Sequence, residues 1–373
     1  MRYELVCFSE IDKYAIKSFC AIHDEDESKN IGNIETACKD DLQSFNFMVG
    51  GTPCQDFSIG GKRKSAVYTC NECGLQYEPL LVSENMRNKC PLCDSEDIGK
   101  TRSSLLVEWL RILKEMQPKA AIYENVKNIT SFKSVFNPFL DEIERYGYNT
   151  YFKVLNSKDF GIPQNRERLI LVIIRKDIDN GEFVFPNGFE LQTQITDLLD
   201  GNAVRKYIET SIPGIYIDES IKPSVQKEFE KDIGNIVGCQ RDMYQCRCNS
   251  GFQDCKVGIK VAPTIRAGNP HTAVFDGKHI IKLTARETFR FMAFADDDFD
   301  KCVSAGVSNA QLYKQAGNSI VVAVIFYVLA ALLNAIPELF ENVKLGSFCS
   351  GIGAFEKAME QLAGRESYGE EST

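Results

Sequence analysis

The chain has no excess of positive charge, no leader-like start, no internal repeat and no evident apolar run of the length a membrane span needs. A formal net charge of -9 excludes a globally basic surface, so any grip on nucleic acid must come from a local patch working against the overall field. Met1-Arg2-Tyr3-Glu4-Leu5-Val6-Cys7 enters a strand-like run directly, which predicts a cytoplasmic protein whose cysteines are reduced or metal-bound. With 44% hydrophobic and 25% charged residues, the composition excludes a disordered tail protein, and neither a membrane segment nor a membrane partner is expected. At 373 residues, one large core with one or two smaller lobes is expected.

The 14 cysteines fall in groups. Cys70-x-x-Cys73 and Cys90-x-x-Cys93 form paired knuckles, with Gly74 and Pro91 at turn positions, and four thiolates at this spacing close tetrahedrally on one structural zinc ion. A second group, Cys239, Cys246, Cys248 and Cys255, has no C-x-x-C knuckle, which favours plain thiols over a second metal and leaves the metal open to test. Cys7, Cys20, Cys38, Cys302 and Cys349 lie in or beside apolar or helical runs, where a small buried thiol is expected.

Strand-like runs at Tyr3–Phe8, Phe47–Gly51, Ala120–Tyr123, Tyr151–Leu155 and Leu169–Ile174 alternate with helical patterns at Lys13–Ile22, Leu105–Glu115 and Phe136–Tyr146. That alternation predicts an α/β fold with a parallel, doubly wound sheet. Periodicity weakens between Asn187 and Val261, which predicts an irregular lobe; helical patterns resume at Ala285–Phe294 and Val321–Leu333. The chain ends as such sheets usually begin: a strand at Val343–Cys349, a turn at Ser350-Gly351-Ile352-Gly353-Ala354 and a helix at Phe355–Leu362. Glu10, just past the first strand, stands where an acidic residue grips a ribose diol in nucleotide-binding sheets.

Pro53-Cys54-Gln55 places a thiol just beyond a buried strand, at the rim where open α/β sheets bind ligands. Together with Glu124-Asn125-Val126, Gln164-Asn165-Arg166-Glu167-Arg168, Lys314-Gln315-Ala316-Gly317-Asn318-Ser319 and Phe348-Cys349-Ser350-Gly351-Ile352-Gly353, it resembles the signature blocks of cytosine-5 DNA methyltransferases. The block around Gly351 comes last here and first in most members, an order similar to that of circularly permuted ones. Permutation requires the ends of the chain, Met1 and Gly364–Thr373, to lie close together and exposed.

The resemblance implies a Rossmann-like S-adenosylmethionine-dependent methyltransferase sheet. Its parts would be catalytic residues 1–186 with a zinc-ribbon insert at 66–98, a target-recognition domain at 187–284, and catalytic residues 285–373. Carbon 5 of cytosine is a poor nucleophile, so Cys54 would add to carbon 6 and make an enamine. Glu124 would hold N3 and the exocyclic amine, Arg166 and Arg168 would complete the catalytic set, and Asn125 and Val126 would shape the pocket. S-adenosylmethionine would meet Phe348, Ser350, Gly351, Gly353, Glu10, Ile11, Asn33, Ile34, Pro53, Leu105, Asn318 and Ser319. The target base would be flipped from double-stranded DNA gripped by Ser58, Lys62, Arg63, Gln164, Thr264 and Ile265, with Arg241, Arg247 and Lys256 reading phosphates or guanines. Arg286-Glu287 would support the recognition region.

The expected setting is prokaryotic or phage restriction-modification, with a monomeric enzyme and a companion restriction endonuclease it need not touch. The same blocks also serve enzymes acting on tRNA, and a silent DNA-binding regulatory relative is the third alternative. The insert either stabilises itself passively, adds a DNA contact or fixes the hinge of the loop after Cys54.

Overall fold

The computed structural model describes residues 3–53, 67–101, 105–246, 256–267 and 272–369. Cys54, Ser58, Lys62, Arg63, Arg247, Cys248 and Cys255 lie outside the described residues.

Along the chain, β1 (Tyr3–Ser9), α1 (Lys13–His23) and β2 (Phe47–Gly50) lead to three short strands, β3 (Tyr68–Cys70), β4 (Gln76–Tyr77) and β5 (Ile98–Lys100). Then come α2 (Leu105–Met116), β6 (Ala120–Val126), α3 (Lys133–Arg145), β7 (Tyr148–Asn156) and β8 (Glu167–Arg175). The next stretch holds β9 (Tyr207–Glu209), β10 (Tyr216–Asp218), α4 (Pro223–Val237), β11 (Met243–Gln245), β12 (Lys256–Gly258), β13 (Ala273–Phe275) and β14 (His279–Lys282). The chain closes with α5 (Ala285–Arg290), α6 (Asp296–Ser304), α7 (Asn309–Asn318), α8 (Val322–Ala335), β15 (Val343–Phe348) and α9 (Ala354–Gly369).

Among the described residues the main sheet has the order β1-β15-β2-β6-β8-β7. The last strand in sequence therefore lies between the first two. Pairing is parallel from β1 through β15 and β2 to β6, but β8 runs antiparallel to both β6 and β7, which corrects the expectation of an all-parallel sheet. The near-continuous apolar run of β8 fits a strand covered on both faces; such a run does not encode direction.

Two apolar layers cover the sheet. One includes Phe8, Phe19, Ile170 and Leu329; the other includes Trp109, Tyr123, Phe139 and Leu171. The strand and helix alternation of the sequence is the alternation of these layers.

The 207–282 stretch is more regular than expected. It holds a second six-stranded sheet, β11-β12-β13-β14-β10-β9, with α4 packed on it through Phe229, Ile233 and Ile236. Strands of only three or four residues are too short to show alternation, which is why the sequence reads as irregular. Glu287 of α5, fully buried, accepts from Asp200 N and pairs with Arg205, so it joins the segment entering this sheet to the main core.

Asn309–Ala335 is, by length and composition, apolar enough to cross a membrane, against the sequence expectation. The helix breaks between α7 and α8, however, and Val322, Val324, Ile325, Val328, Leu329 and Leu332 are buried in the main core, so α8 is accounted for as a core helix.

Candidate active site

The strand register lines up the ends of four parallel strands. Ser9 pairs with Phe348, Phe348 with Gly50 and Gly50 with Tyr123, so the residues that follow each of these emerge at one level along one edge. Glu10, the 349–353 turn, Gly51-Thr52-Pro53 and Glu124 therefore share the carboxyl-end rim, the usual ligand edge of open α/β sheets.

Glu124 opposes Ile170 on the neighbouring strand, and Arg168 opposes Val126, so the two side chains are diagonal neighbours on one sheet face. Arg168 Nε lies 3.0 Å from Glu124 Oε1, and Arg168 Nη1 donates to Glu167 O at 2.9 Å. Burial raises the Glu124 carboxyl above its ordinary value, although Arg168 and then Arg166 pull it down. The carboxyl thus holds its proton more readily than an exposed glutamate.

Gly51 makes this arrangement compact. A Cβ there would lie 2.8 Å from Glu124 O and 2.9 Å from Glu124 Oε2, so a larger residue would displace the carboxylate. Asn125, buried, donates to Thr52 O at 3.2 Å and to Tyr123 Oη at 2.9 Å, while Thr52 Oγ1 and Tyr123 Oη share a 2.6 Å hydrogen bond. These bonds fix the backbone that leads into Pro53.

Four of the expected contacts, Arg166, Gln164, Ile265 and Thr264, lie within internal brackets. Arg166 is 2% exposed and donates to Ile265 O, Gly317 O and Ser319 O at 2.7, 3.0 and 2.6 Å, so its guanidinium is committed to carbonyls and positions neighbouring segments. Gln164, expected at DNA, is fully buried: its amide donates to Phe291 O and accepts from Ile265 N. Ile265, also expected at DNA, is buried between these two brackets. Thr264 is half-buried and donates to Asn165 O at 2.5 Å. In each case the polar atoms satisfy buried backbone rather than face solvent.

On the other side of the rim, the chain's first and last strands meet. Ser350 N donates to Ser9 O at 3.1 Å and Gly351 N to Glu10 Oε2 at 2.9 Å, while Glu10 Oε1 accepts from Ile11 N and Asp12 N. Cys349, Gly351 and Gly353 have φ of 57°, 58° and 79°, a left-handed run that folds the turn back over the sheet. Burial, with Glu10 beside it, pushes the Cys349 thiol up to about 12, which keeps it neutral.

The fit to a nucleoside cofactor rests on open space and unspent polar groups. Nothing lies within 4 Å of where a Gly351 Cβ would be, and the buried Ser350 Oγ has no hydrogen-bond partner among the described residues. Ile11 is 74% exposed at the same rim, an apolar surface of the kind that receives an adenine face. Ile34 is buried beneath the Asn33 turn, and Asn33 caps that turn by accepting from Glu35 N. Phe348 is fully buried against Phe45, so it shapes the turn from below. Leu105 opens α2, Asn318 is exposed at the end of α7, and Ser319 is buried just after it.

Two supporting residues carry no signal in the sequence. Asn30 accepts from Glu10 N and Gly32 N and donates to Glu10 O, which holds Glu10 against the 30–34 loop. His23 lies under the glycine turn, where a Cβ at Gly353 would fall 2.1 Å from its Nε2. Neither stands in a periodic or motif position, so only the folded backbone reveals them.

The four knuckle cysteines converge, with sulfur atoms all within 4.8 Å of one another. Cys70–Cys93 and Cys73–Cys90 sulfurs are 3.5 Å apart, near the ~3.8 Å edge of a tetrahedron with zinc–sulfur bonds of about 2.3 Å. The knuckles are geometric twins: Gly74 N donates to Cys70 O and Asp94 N to Cys90 O, with φ of 74° and 57°. The Cys73 N–H lowers the Cys70 thiol to about 6; although the Ser95 N–H lowers Cys93, desolvation and the other thiols push it up to about 12. Four thiolates cannot coexist here unaided, which is the donor chemistry a divalent cation satisfies. No other such group occurs among the described residues, where Cys239 is half-buried and Cys246 buried. The module runs to Lys100, two residues beyond the expected boundary, because β5 pairs with β3.

Residues 1–81 and 93–334 match the family model of the C-5 cytosine-specific DNA methylases. The chain is 30% identical to the orphan methyltransferase M.SPBetaI of Bacillus phage SPbeta, over 89% of this chain and 92% of that one. It is 34% identical to the type II methyltransferase M2.ScrFI of Lactococcus lactis subsp. cremoris, over 80% and 69%. Among solved structures, the S. pombe Dnmt2 methyltransferase superposes with a TM-score of 0.54 at 16% identity, over 89% and 91% of the two chains, which shows a shared fold.

Proposed function

Since the chain belongs to the C-5 cytosine-specific DNA methylase family, as a DNA cytosine methyltransferase, we propose that it methylates carbon 5 of a cytosine flipped out of a specific duplex sequence. The observation that carries this reading is the Glu124–Arg168 pair packed against Gly51, three residues before Cys54.

In this mechanism Cys54 thiolate adds to carbon 6 of the flipped base, and the ring electrons move toward carbon 5. Glu124, whose carboxyl burial makes a readier proton carrier than an exposed glutamate, donates to N3 as charge develops there. Arg168 holds the Glu124 carboxyl and offers its remaining N–H groups to the base. After methylation the carbon 5 proton passes to water, the Cys54 thiolate is expelled, and N3 returns its proton to Glu124, which restores the aromatic ring. Arg166 acts through the segments it braces.

S-adenosylmethionine, when bound, supplies the electrophilic methyl group. Ser350, Gly351 and Gly353 would hold its methionine end, Glu10 its ribose, and Ile11, Asn33 and Ile34 its adenine, with Pro53, Leu105, Asn318 and Ser319 closing the pocket. We read the chain as circularly permuted, supported by the position of β15 between β1 and β2 and by the Glu10–Gly351 bond. The second sheet, within 187–284, is the target-recognition region, and Cys70, Cys73, Cys90 and Cys93 hold one structural zinc ion. A restriction-modification or phage setting follows from the kinds of relatives the chain matches.

The test is transfer of labelled methyl from S-adenosylmethionine to unmethylated duplex DNA and, in parallel, to bulk tRNA, with wild type and Cys54→Ala. Label in DNA that disappears with Cys54→Ala supports the reading. Label confined to tRNA, or no transfer to either nucleic acid, contradicts it.

A further inference from the structure

The four-cysteine module is bonded to the catalytic core. Arg87, 6% exposed, donates to Pro79 O at 2.9 Å and pairs with the buried Glu142 of α3, which also accepts from Tyr146 Oη at 2.9 Å. Lys114 of α2 pairs with Glu84 at 2.6 Å, and Ser134 Oγ donates to Glu78 at 3.0 Å. Docking alone would make the module a passive brace. One further set of contacts leads elsewhere.

Tyr68 pairs with Lys100 and Cys70 with Ile98 across β3 and β5, so the sulfur cage fixes the strand that carries Lys100. Lys100 Nζ lies 5.3 Å over the ring centroid of the fully buried Tyr68 and 3.1 Å from Glu108 Oε1. Glu108, 8% exposed, spends its second oxygen on Arg111 Nε at 2.9 Å, and Arg111 Nη2 donates to Ile34 O at 3.0 Å. A parallel link runs from Lys100 to Glu35 at 4.0 Å, and Glu35 accepts from Asn33 Nδ2 at 3.1 Å. Packing repeats the same connection: Leu80 of the module, Ile34, and Leu106, Val107 and Leu110 of α2 belong to one apolar cluster.

We propose that the four-cysteine module sets the position of the 33–36 turn through Lys100, Glu108 and Arg111, and so tunes affinity for the cofactor's adenine end. This rests on the cofactor reading given above. Lys100 and Arg111 are positioning residues: neither belongs to the expected cofactor contacts, and both act through the turn that carries Asn33 and Ile34. Coupling is carried by a contiguous chain of ion pairs and hydrogen bonds from cage to turn, most of it half-buried and therefore only partly screened by water.

The experiment is calorimetric binding of S-adenosylhomocysteine to the full chain, with zinc content and melting measured on each preparation. Lys100→Met should keep its zinc and a cooperative melt yet bind S-adenosylhomocysteine about fivefold to tenfold more weakly. Its KM for S-adenosylmethionine should rise in step while turnover at saturating cofactor stays within about twofold of wild type. Lys100→Arg should restore binding, and Lys100→Met combined with Arg111→Met should lose less than the sum of the two single losses. Wild-type affinity in zinc-loaded, cooperatively melting Lys100→Met, or additive losses in the double variant, overturns the coupling and leaves the cofactor reading intact. Absence of binding by wild type overturns both.

Discussion

Arg168 Nε lies 3.0 Å from Glu124 Oε1, across two antiparallel strands whose register makes the two side chains diagonal neighbours on one face. The pair is set before any base arrives: β6 supplies the acid, β8 the cation, and Gly51 the space between the acid and the turn that leads to Cys54. Glu124→Gln keeps shape but loses the acid proton, so kcat should fall about 10²- to 10⁴-fold with folding retained. Arg168→Met should lower kcat in the same sense, since it removes the group that orients the acid. Steady-state rates with saturating DNA and cofactor check both.

The same carboxyl makes stability depend on pH. Its folded pKa is raised by burial, so the folded state favours the protonated acid more than the unfolded chain does. The stability it contributes is present in acid and lost as pH rises from the ordinary carboxylate range through the folded value. The melting temperature of wild type minus that of Glu124→Gln should therefore decline over that interval and then level off. A flat or rising difference contradicts the burial argument.

Arg166→Met should behave unlike Arg168→Met. It strips donors from Ile265 O, Gly317 O and Ser319 O, inside a contact so close that a Cβ on Gly317 would fall 2.0 Å from Ala267 N. Loss of stability of about 3 kcal/mol or more is expected by chemical denaturation, because buried carbonyls lose charge-assisted partners. A fully stable but inactive Arg166→Met would return this residue to the catalytic set.

His23 sits beneath the glycine turn, where its neighbours favour the imidazolium form. Burial opposes its charge, but Nδ1 lies 2.5 Å from Glu360 Oε1 and Nε2 3.2 Å from Ile352 O, and Glu356 is also nearby, so its pKa is raised. Stability from this group is complete below the ordinary histidine pKa of about 6.5 and is lost as pH rises through the folded value. Titration of the imidazole by NMR should show a midpoint above the ordinary value, and His23→Asn should lose the matching pH dependence of melting.

Metal analysis by mass spectrometry should find one zinc per chain, lost together with a drop in melting temperature in Cys73→Ser. Two zinc ions per chain would assign a second site to the group that includes Cys239 and Cys246. None would remove both.

Where side chains announce themselves, the sequence is legible. The β1, β2, α1, α2 and α8 runs fall within a residue or two of their observed spans because buried faces impose a clear period. The cysteine spacing foretells a cage because ligands of one ion must sit in paired turns. Strand direction is not encoded in a run such as Leu169–Ile174, so β8 was expected parallel. Strands such as Tyr207–Glu209 and Ala273–Phe275 are shorter than the window that reveals alternation, which hid the second sheet. The brackets made by Gln164 and Arg166 are not legible for a different reason: a motif marks residue types, but only packing shows that these side chains bond to buried backbone.

The most direct test of the central claim is covalent trapping on a duplex carrying 5-fluorocytosine at the target position, in the presence of S-adenosylmethionine, read by mass spectrometry of the intact protein. Fluorine at carbon 5 cannot leave as a cation, so an enzyme that attacks carbon 6 through Cys54 should remain joined to the methylated base. The account predicts an adduct at Cys54 in wild type and none in Cys54→Ala. An adduct that persists in Cys54→Ala, or methylation of ordinary duplex DNA by that variant at the wild-type rate, would contradict it.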